Sequence, residues 1–312
     1  MCQLVSSMRE KRALMNGKWF LMMAGLIIIW SVSWPIYKLA LVFTPPLLFA
    51  GMRCLFGGLL LGAVIWKTRA RIEWRKNWKI YVVTGTLNIA LFYGLQTEGL
   101  KLVPSGLFSV IVYFQPILVG LLAWLWLGES MTLTKVLGLL LGFLGVISVS
   151  AEGFSGHVSI LGIIFGLLSA LSWALGTVYT KKNAHSVDSL WMVAFQCLIG
   201  GCILMIAGVS SEKWTSIVWN DTFLWGLSFG TILGIAISWI LYVMLVKTGD
   251  ASVVATFTFL VPMLAVVIGT LFLNEPFTKL LFLGIVLIVA SIYLVNRKQT
   301  TKQVVIKEKI GA

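Results

Sequence analysis

Apolar stretches of about 20 residues recur along the whole chain, separated by short polar segments. A stretch of this length crosses the hydrocarbon core of a bilayer as an α-helix. We therefore predict an all-α membrane protein with ten spans, at residues 19–41, 46–66, 79–99, 104–127, 133–150, 159–180, 190–209, 223–246, 252–273 and 280–296. They leave only a cytoplasmic stub, residues 1–18, and a basic tail, residues 297–312, outside one compact bundle.

The predicted spans form two copies of one five-span unit, residues 19–150 and 159–296. A shift of 143 positions places the sequence CLFGG, residues 54–58, on CLIGG, residues 197–201. Because five is an odd number, the second copy enters the membrane in the opposite orientation. Inverted repeats of this kind are typical of transporters that hold their substrate near the membrane midplane. The alternative is that duplication is only a stable way to build a large bundle.

Composition and charge agree with a membrane protein and give its orientation. Hydrophobic residues make up 59% of the chain and charged residues 11%, whereas a soluble domain carries about 25% charged residues. The net charge of +13 comes mainly from Lys and Arg in the stub, in the tail and between spans 2 and 3. The positive-inside rule then predicts that both termini are cytoplasmic. We expect a lipid bilayer, in the plasma membrane, and not nucleic acid as the partner of this basic surface.

A resemblance to a known family rests on Trp30, on Arg53 and on a block that occurs twice, at residues 116–138 and 262–284. In order, spacing and duplication these features resemble the EamA-like branch of the drug/metabolite transporter superfamily. The resemblance implies a ten-helix carrier for small organic solutes that works by alternating access. Because such carriers move amino acids, other metabolites and drugs, it leaves the substrate open.

Two spans related by the repeat carry matching aromatic and polar stripes. Trp30, Trp34 and Tyr37 lie on one face of span 1 at helical spacing, and Trp173 and Thr177 lie at the corresponding positions of span 6. We interpret these stripes as walls of a substrate cavity. The alternative is aromatic packing between helices.

Polar side chains inside other spans extend this candidate substrate site. An amide inside hydrocarbon needs a partner, which is either a facing helix or a wet cavity. The further candidates are Asn88 and Gln96 in span 3, Tyr113 in span 4, and Trp239 and Tyr242 in span 8.

Arg53 is the strongest single candidate for a substrate-binding residue, because a charge inside a span is costly and usually functional. Its repeat counterpart is the neutral Gln196, and span 2 runs inward, which places Arg53 in the outer half of the membrane. We predict that it holds a substrate carboxylate. The alternatives are a structural ion pair with Glu98 and a contact with lipid phosphates.

Four residues of the duplicated block are candidates for structural roles. Pro116 and Pro262 break the backbone hydrogen-bond ladder of spans 4 and 9 and can act as hinges, or they are simply tolerated kinks. Glu129 and Glu275 end these spans at opposite faces. We interpret the two carboxylates as turn-shaping or as contacts between the repeats, with ion coupling as the alternative.

The sequence argues against an enzyme. The only two histidines, His157 and His185, lie in predicted loops, and we find no metal-ligand spacing, phosphate-binding loop or buried acid pair. We therefore expect no metal and no other cofactor, and a small molecule as the partner of the site. A homodimer is a further possibility, through the small-residue face of Gly138 and Gly142 in span 5.

The resulting hypothesis is a secondary transporter that exports amphipathic, amino-acid-like metabolites. A carrier of phosphorylated or nucleotide-sugar metabolites is the alternative substrate class, and it would favour several cations in the cavity. A structural or receptor-like membrane protein is the alternative without transport.

Overall fold

The computed structural model describes residues 2–100, 102, 105–150, 159–272 and 278–296, and within these ranges every regular element is helical. Among these described residues, seven helices are long and apolar enough to cross a membrane, namely Gly17–Tyr37, Pro46–Val64, Val110–Leu127, Ile160–Asn183, Ser189–Ser211, Asp221–Thr248 and Lys279–Asn296. Two shorter apolar helices lie at Leu133–Ser148 and Ala251–Ala265. The protein is thus an all-helical membrane protein. The predicted number of ten spans remains a prediction, although each predicted interval contains helix.

The elements follow the same order in both halves of the chain. The first half contains α1 (Cys2–Ala40), α2 (Pro46–Val64), α3 (Trp74–Thr84), α4 (Phe92–Leu100), α5 (Ser105–Val112), α6 (Gln115–Leu127) and α7 (Leu133–Ser150). The second half contains α8 (Ile160–Asn183), α9 (Ser189–Ser211), α10 (Asp221–Phe229), α11 (Ser238–Thr248), α12 (Ala251–Phe257), α13 (Leu260–Phe272) and α14 (Lys279–Asn296). Short 3₁₀ helices lie at Trp66–Arg71 and Trp214–Ser216.

Two helices in corresponding positions are widened by a π-helical segment. Gly85–Leu91 joins α3 to α4, and Gly230–Ile237 joins α10 to α11. Such segments are rare and frequently occur at functional sites, because they turn side chains away from the regular helical positions. Asn88 lies in the first segment and Gly234 at the corresponding position of the second.

Two further helix breaks correspond in the repeat, one between α5 and α6 and one between α12 and α13, and both follow from the chemistry of proline. A proline lacks an N–H group, and its ring clashes with the carbonyl four residues earlier. Pro116 would clash at Val112, where α5 ends, and Pro262 would clash at Thr258, directly after the end of α12. Tight turns between these helices replace the lost bonds, as in the Val261 N–H that donates to the Thr258 carbonyl at 3.0 Å.

The most extensive helix contacts join elements that the repeat relates, α2 with α9 and α7 with α14. Glycines allow the close approach of the first pair. An added Cβ at Gly58 would lie 2.8 Å from the Leu198 backbone nitrogen, and one at Gly201 would lie 2.6 Å from the Leu55 backbone nitrogen. Each backbone therefore occupies the space that the other helix leaves free.

The small-residue face of α7 is used inside the chain. Added Cβ atoms at Gly138 and at Gly142 would collide with the side chains of Val295 and of Phe259 and Ser291. These glycines therefore serve close packing within the chain, against α14 and Phe259, and a homodimer stays a prediction. Large apolar side chains such as Ile160 and Ile206 point outward instead, where lipid solvates them.

Candidate functional site

A cavity lies between the two halves of the protein and is lined by residues from both. The volume that the centre of a water molecule can occupy inside it is about 80 Å³, which is enough for several water molecules. Its lining residues are Trp30, Ser33, Tyr37, Arg53, Phe92, Tyr93, Gln96, Val112, Tyr113, Trp173, Gly234 and Trp239. The structure thus brings together seven of the predicted substrate-site residues, namely Trp30, Tyr37, Arg53, Gln96, Tyr113, Trp173 and Trp239.

Arg53 supplies the positive charge of this cavity. The side chain projects from α2 and is 5% exposed. Its guanidinium carbon lies 4.3 Å from the ring centre of Tyr37 and 4.6 Å from that of Tyr93, so the cation is held between two aromatic rings. The Nε atom is buried and has no hydrogen-bond partner. Arg53 therefore lines the cavity as a buried cation with an unsatisfied donor.

The predicted alternative for Arg53, an ion pair with Glu98, is not formed in this structure. Across the part of the chain that the structure describes, no carboxylate oxygen lies within 4.0 Å of the Arg53 guanidinium nitrogens. Glu98 makes other interactions. The rings of Tyr37 and Tyr93 replace a counter-ion, because the negative faces of aromatic rings attract a cation, and most strongly where water is excluded.

We call Tyr37, Arg53, Tyr93 and Gly234 the Arg53 cluster. Gly234, in the second π-helical segment, is needed because a Cβ at this position would collide with the Tyr37 hydroxyl. The cluster thus combines residues of α1, α2 and α4 with the π-helical segment of the other half. It therefore lies where the two halves of the chain meet.

An aromatic cluster closes one side of the cavity. The ring centres of Trp30 and Trp173, which correspond in the repeat, lie 5.6 Å apart in an edge-to-face arrangement. Trp239 donates its indole N–H to the Tyr93 hydroxyl at 3.3 Å, and these two residues also correspond in the repeat. The two sequence interpretations of the tryptophans, cavity wall and aromatic packing, therefore describe two faces of the same side chains.

Three predicted site residues lie away from this cavity, in a packed region. Asn88 donates from Nδ2 to Thr180 Oγ1 at 3.3 Å and to Gln196 Oε1 at 3.4 Å. The hydroxyl groups of Thr177 and Tyr242 are 2.7 Å apart and hydrogen-bonded to each other. All five residues are at most 1% exposed.

We call Asn88, Gly176, Thr180 and Gln196 the Gln196 cluster. Its members occupy the positions that correspond to Gly234, Ser33, Tyr37 and Arg53. The predicted site residue Trp34 corresponds to Thr177, but its side chain lies outside the part of the chain that the structure describes.

Sequence reasoning missed five cavity residues, namely Ser33, Phe92, Tyr93, Val112 and Gly234. A signal was present for Tyr93, because its repeat counterpart Trp239 was itself a candidate. No such signal exists for Gly234, since only the close approach of Tyr37 shows why this position must lack a side chain.

Glu129 joins the two halves at one end of the bundle. It follows Gly128, whose left-handed conformation (φ 69°) ends α6. Its carboxylate accepts the backbone N–H of Ala251 at 2.7 Å, bonds the Ser252 hydroxyl and forms an ion pair with Lys135 at 3.3 Å. It thus caps the start of α12 in the second half, in the manner of the predicted contact between repeats. The corresponding Glu275 lies outside the described residues.

The chain is similar in sequence to known membrane transporters. The sequence profile of the EamA-like transporter family matches residues 17–151 and, a second time, residues 160–297. The chain is 50% identical over 283 residues to the uncharacterized transporter YvbV of Bacillus subtilis (strain 168), across 91% of this chain and 93% of that protein. It is 28% identical over 278 residues to the uncharacterized transporter YoaV of the same organism, across 87% of this chain and 95% of that protein.

A solved crystal structure has the same fold, with a TM-score of 0.79 at 20% sequence identity, over 90% of this chain and 96% of that chain. The family profile covers nearly the whole chain in two consecutive matches, and the best-matching relative quoted above is half identical to it along more than nine-tenths of both lengths. The protein is therefore a membrane transporter that belongs to the EamA-like transporter family.

Proposed function

We propose that the protein is a secondary transporter of small organic solutes that carry a carboxylate and an apolar body, including amino-acid-like metabolites. The observation that carries this proposal is Arg53, a buried cation that faces a cavity between the halves and has an unpaired Nε. A buried charge of this kind persists only with a partner or with water. A substrate carboxylate supplies both charge and acceptor oxygens.

The lining supports an amphipathic substrate. Seven of the lining residues are aromatic, and they surround one cation. An apolar or flat group would pack against the tryptophans while its carboxylate met Arg53. The ammonium group of an amino acid would lie against an aromatic face, which attracts cations.

A phosphorylated or nucleotide-sugar substrate is disfavoured by the same lining. Phosphate groups carry more charge than one carboxylate and are usually bound by several cations. Arg53 is the one Lys or Arg among the lining residues that the structure describes.

The mechanism that we propose is alternating access between two inverted five-helix halves. In this arrangement the protein has ten spans in the plasma membrane, and both termini lie in the cytoplasm. Support comes from the two family matches, the shared element order and the packing of corresponding helices on each other. A reporter that is active only in the cytoplasm, fused after Ala312, tests the orientation. A silent but expressed fusion would overturn the inverted arrangement.

Counterflow in proteoliposomes tests the transport itself. Vesicles loaded with phenylalanine or phenylacetate should accumulate the labelled form of the same solute, whereas phenylalaninamide, which lacks the carboxylate, should not exchange. An untargeted comparison of metabolites in the medium of overexpressing and deletion cells tests export, the direction that we assign. Absence of counterflow for every carboxylate tested, including those found in that comparison, would favour a structural or receptor-like protein.

A further inference from the structure

The Gln196 cluster contains more polar atoms than it can satisfy in its packed arrangement. Asn88 Oδ1 and Gln196 Nε2 are buried without a hydrogen-bond partner, although both side chains already bond to each other. Exchanging the oxygen and nitrogen of either amide would not remove this deficit, because each amide still offers more groups than the pair can use. Unpaired buried amides are costly, and native structures rarely keep them without a reason.

The deficit continues along the same face of α8. Gln115 is fully buried with both amide atoms unpaired, and the Trp173 indole nitrogen is also unpaired. Both side chains lie near the Tyr242 hydroxyl, outside hydrogen-bonding geometry. Beyond Trp173, which lines the cavity, Gly176, Thr177 and Thr180 thus continue the same face of α8 into a region that is closed to solvent.

This row is the position-by-position counterpart of the open cavity. Trp30, Ser33 and Tyr37 line the cavity from α1, and their counterparts on α8 are Trp173, Gly176 and Thr180. Arg53 and Gly234 correspond to Gln196 and Asn88 in the same way. Trp30 and Trp173 both line the cavity, whereas the counterparts of Tyr37, Arg53 and Gly234 are packed away from solvent.

We propose that the Gln196 cluster is a second solute-binding site, closed in this structure and open to the opposite face of the membrane in the alternate state. The inference rests on the proposed alternating access, in which two inverted halves exchange conformations. The solute would be the same carboxylate. Its oxygens would accept hydrogen bonds from Asn88 Nδ2, Gln196 Nε2 and Thr180 Oγ1, which would satisfy the amides that the closed state leaves unpaired.

The second site should bind more weakly than the Arg53 cluster. Hydrogen bonds from neutral donors are about half as strong as those from charged ones. We expect the affinity for a carboxylate to be about tenfold lower.

Thiol labelling tests the site without knowledge of the natural solute. In a protein whose cysteines 2, 54, 197 and 202 are replaced by serine, single variants Tyr37→Cys and Thr180→Cys are treated with a membrane-impermeant maleimide in vesicles of both orientations. Val178→Cys is the matched control, since Val178 lies on α8, is 0% exposed and packs in an apolar cluster. Gln196→Cys is a second probe, and gel filtration confirms folding of each variant.

We expect Tyr37→Cys to react from one face, Thr180→Cys and Gln196→Cys from the opposite face, and Val178→Cys from neither. Inert cysteines at 180 and 196 in a protein that still performs counterflow would overturn the second site and leave the transporter intact. Reaction of all three from the same face would overturn it equally. Loss of both counterflow and all labelling would instead refute the proposed function on which the inference rests.

Protection by phenylacetate tests binding beyond access of water. Half-protection of Thr180→Cys should need about ten times the concentration that half-protects Tyr37→Cys. Protection at position 37 without protection at position 180 at any concentration would show a water path and no site. Protection at neither position would refute the carboxylate class, and with it this inference.

Discussion

The Arg53 cluster and the Gln196 cluster occupy corresponding positions in the two halves but differ in charge, access and hydrogen bonding. The first holds a cation between two rings at a cavity, and the second holds three neutral side chains packed against one another. Around them the two halves behave alike, since α2 and α9 approach each other through corresponding glycines. The two halves therefore keep the same helix packing, whereas the side chains of the two clusters have diverged.

The largest expected effect comes from placing the charge in the other half. Gln196→Arg would bury a cation where the side chain is 0% exposed and already hydrogen-bonded to Asn88. Without a carboxylate or an aromatic ring positioned to receive it, we expect a loss of about 3 kcal/mol in unfolding free energy. Thermal unfolding in detergent measures this. A variant as stable as the parent would show that the Gln196 cluster is already open to water.

Removing the charge from its own half should cost affinity instead. Arg53→Gln copies the other half, and we expect it to fold. Loss of a charge-assisted hydrogen bond of about 1.5–3 kcal/mol would weaken carboxylate binding about 10–150-fold. Counterflow of phenylacetate measures the change, and Arg53→Lys controls for charge without the planar donor group. Unchanged transport by a folded Arg53→Gln protein would remove Arg53 from the site.

Because α2 and α9 pack on each other through corresponding glycines, we expect substitutions of these glycines to lower stability equally. Gly58→Ala and Gly201→Ala each place a Cβ under 3.0 Å from the other helix's backbone, so each should destabilise the protein by about 1–3 kcal/mol. Gly62→Ala, one turn after Gly58 in α2, meets only the Trp191 ring at 4.0 Å and should be neutral or slightly stabilising. Melting temperatures compare the three. Clearly unequal losses at positions 58 and 201 would show that the helix interface has diverged as well.

The smallest expected effect comes from Tyr93, whose hydroxyl accepts a hydrogen bond from Trp239 and whose ring packs against Arg53. Tyr93→Phe removes the acceptor of the Trp239 indole N–H but keeps the ring beside Arg53. We expect a loss of about 1 kcal/mol in stability and little change in solute affinity. Tyr93→Leu also removes the ring and should lower affinity further, by the roughly 0.5–2 kcal/mol of a cation–π contact. Equal transport by both variants would show that the ring does not position Arg53.

Arg53 shows how far the sequence carries an argument about the site. A lone charge in an apolar span predicts a partner by itself, because the cost of burying a charge depends only on its surroundings being apolar. The choice of partner does not follow, and Glu98 was a reasonable candidate by position along the chain. The structure assigns Tyr37 and Tyr93 instead, and these come from α1 and α4.

Apolar stretch length, charge distribution and internal duplication are local or additive properties, so the sequence alone determined the membrane character, the two related halves and the polar stripes. Tertiary structure alone decided which positions of each stripe line the cavity, because both stripes have the same spacing and the spacing does not specify which side chains they meet. Trp30, Tyr37 and Trp173 line it, whereas Thr177 is packed against Tyr242. It also placed the π-helical segments, where Asn88 and Gly234 contact residues of the opposite half. Such contacts depend on how two helices cross, which is set by the shapes of side chains far apart in sequence.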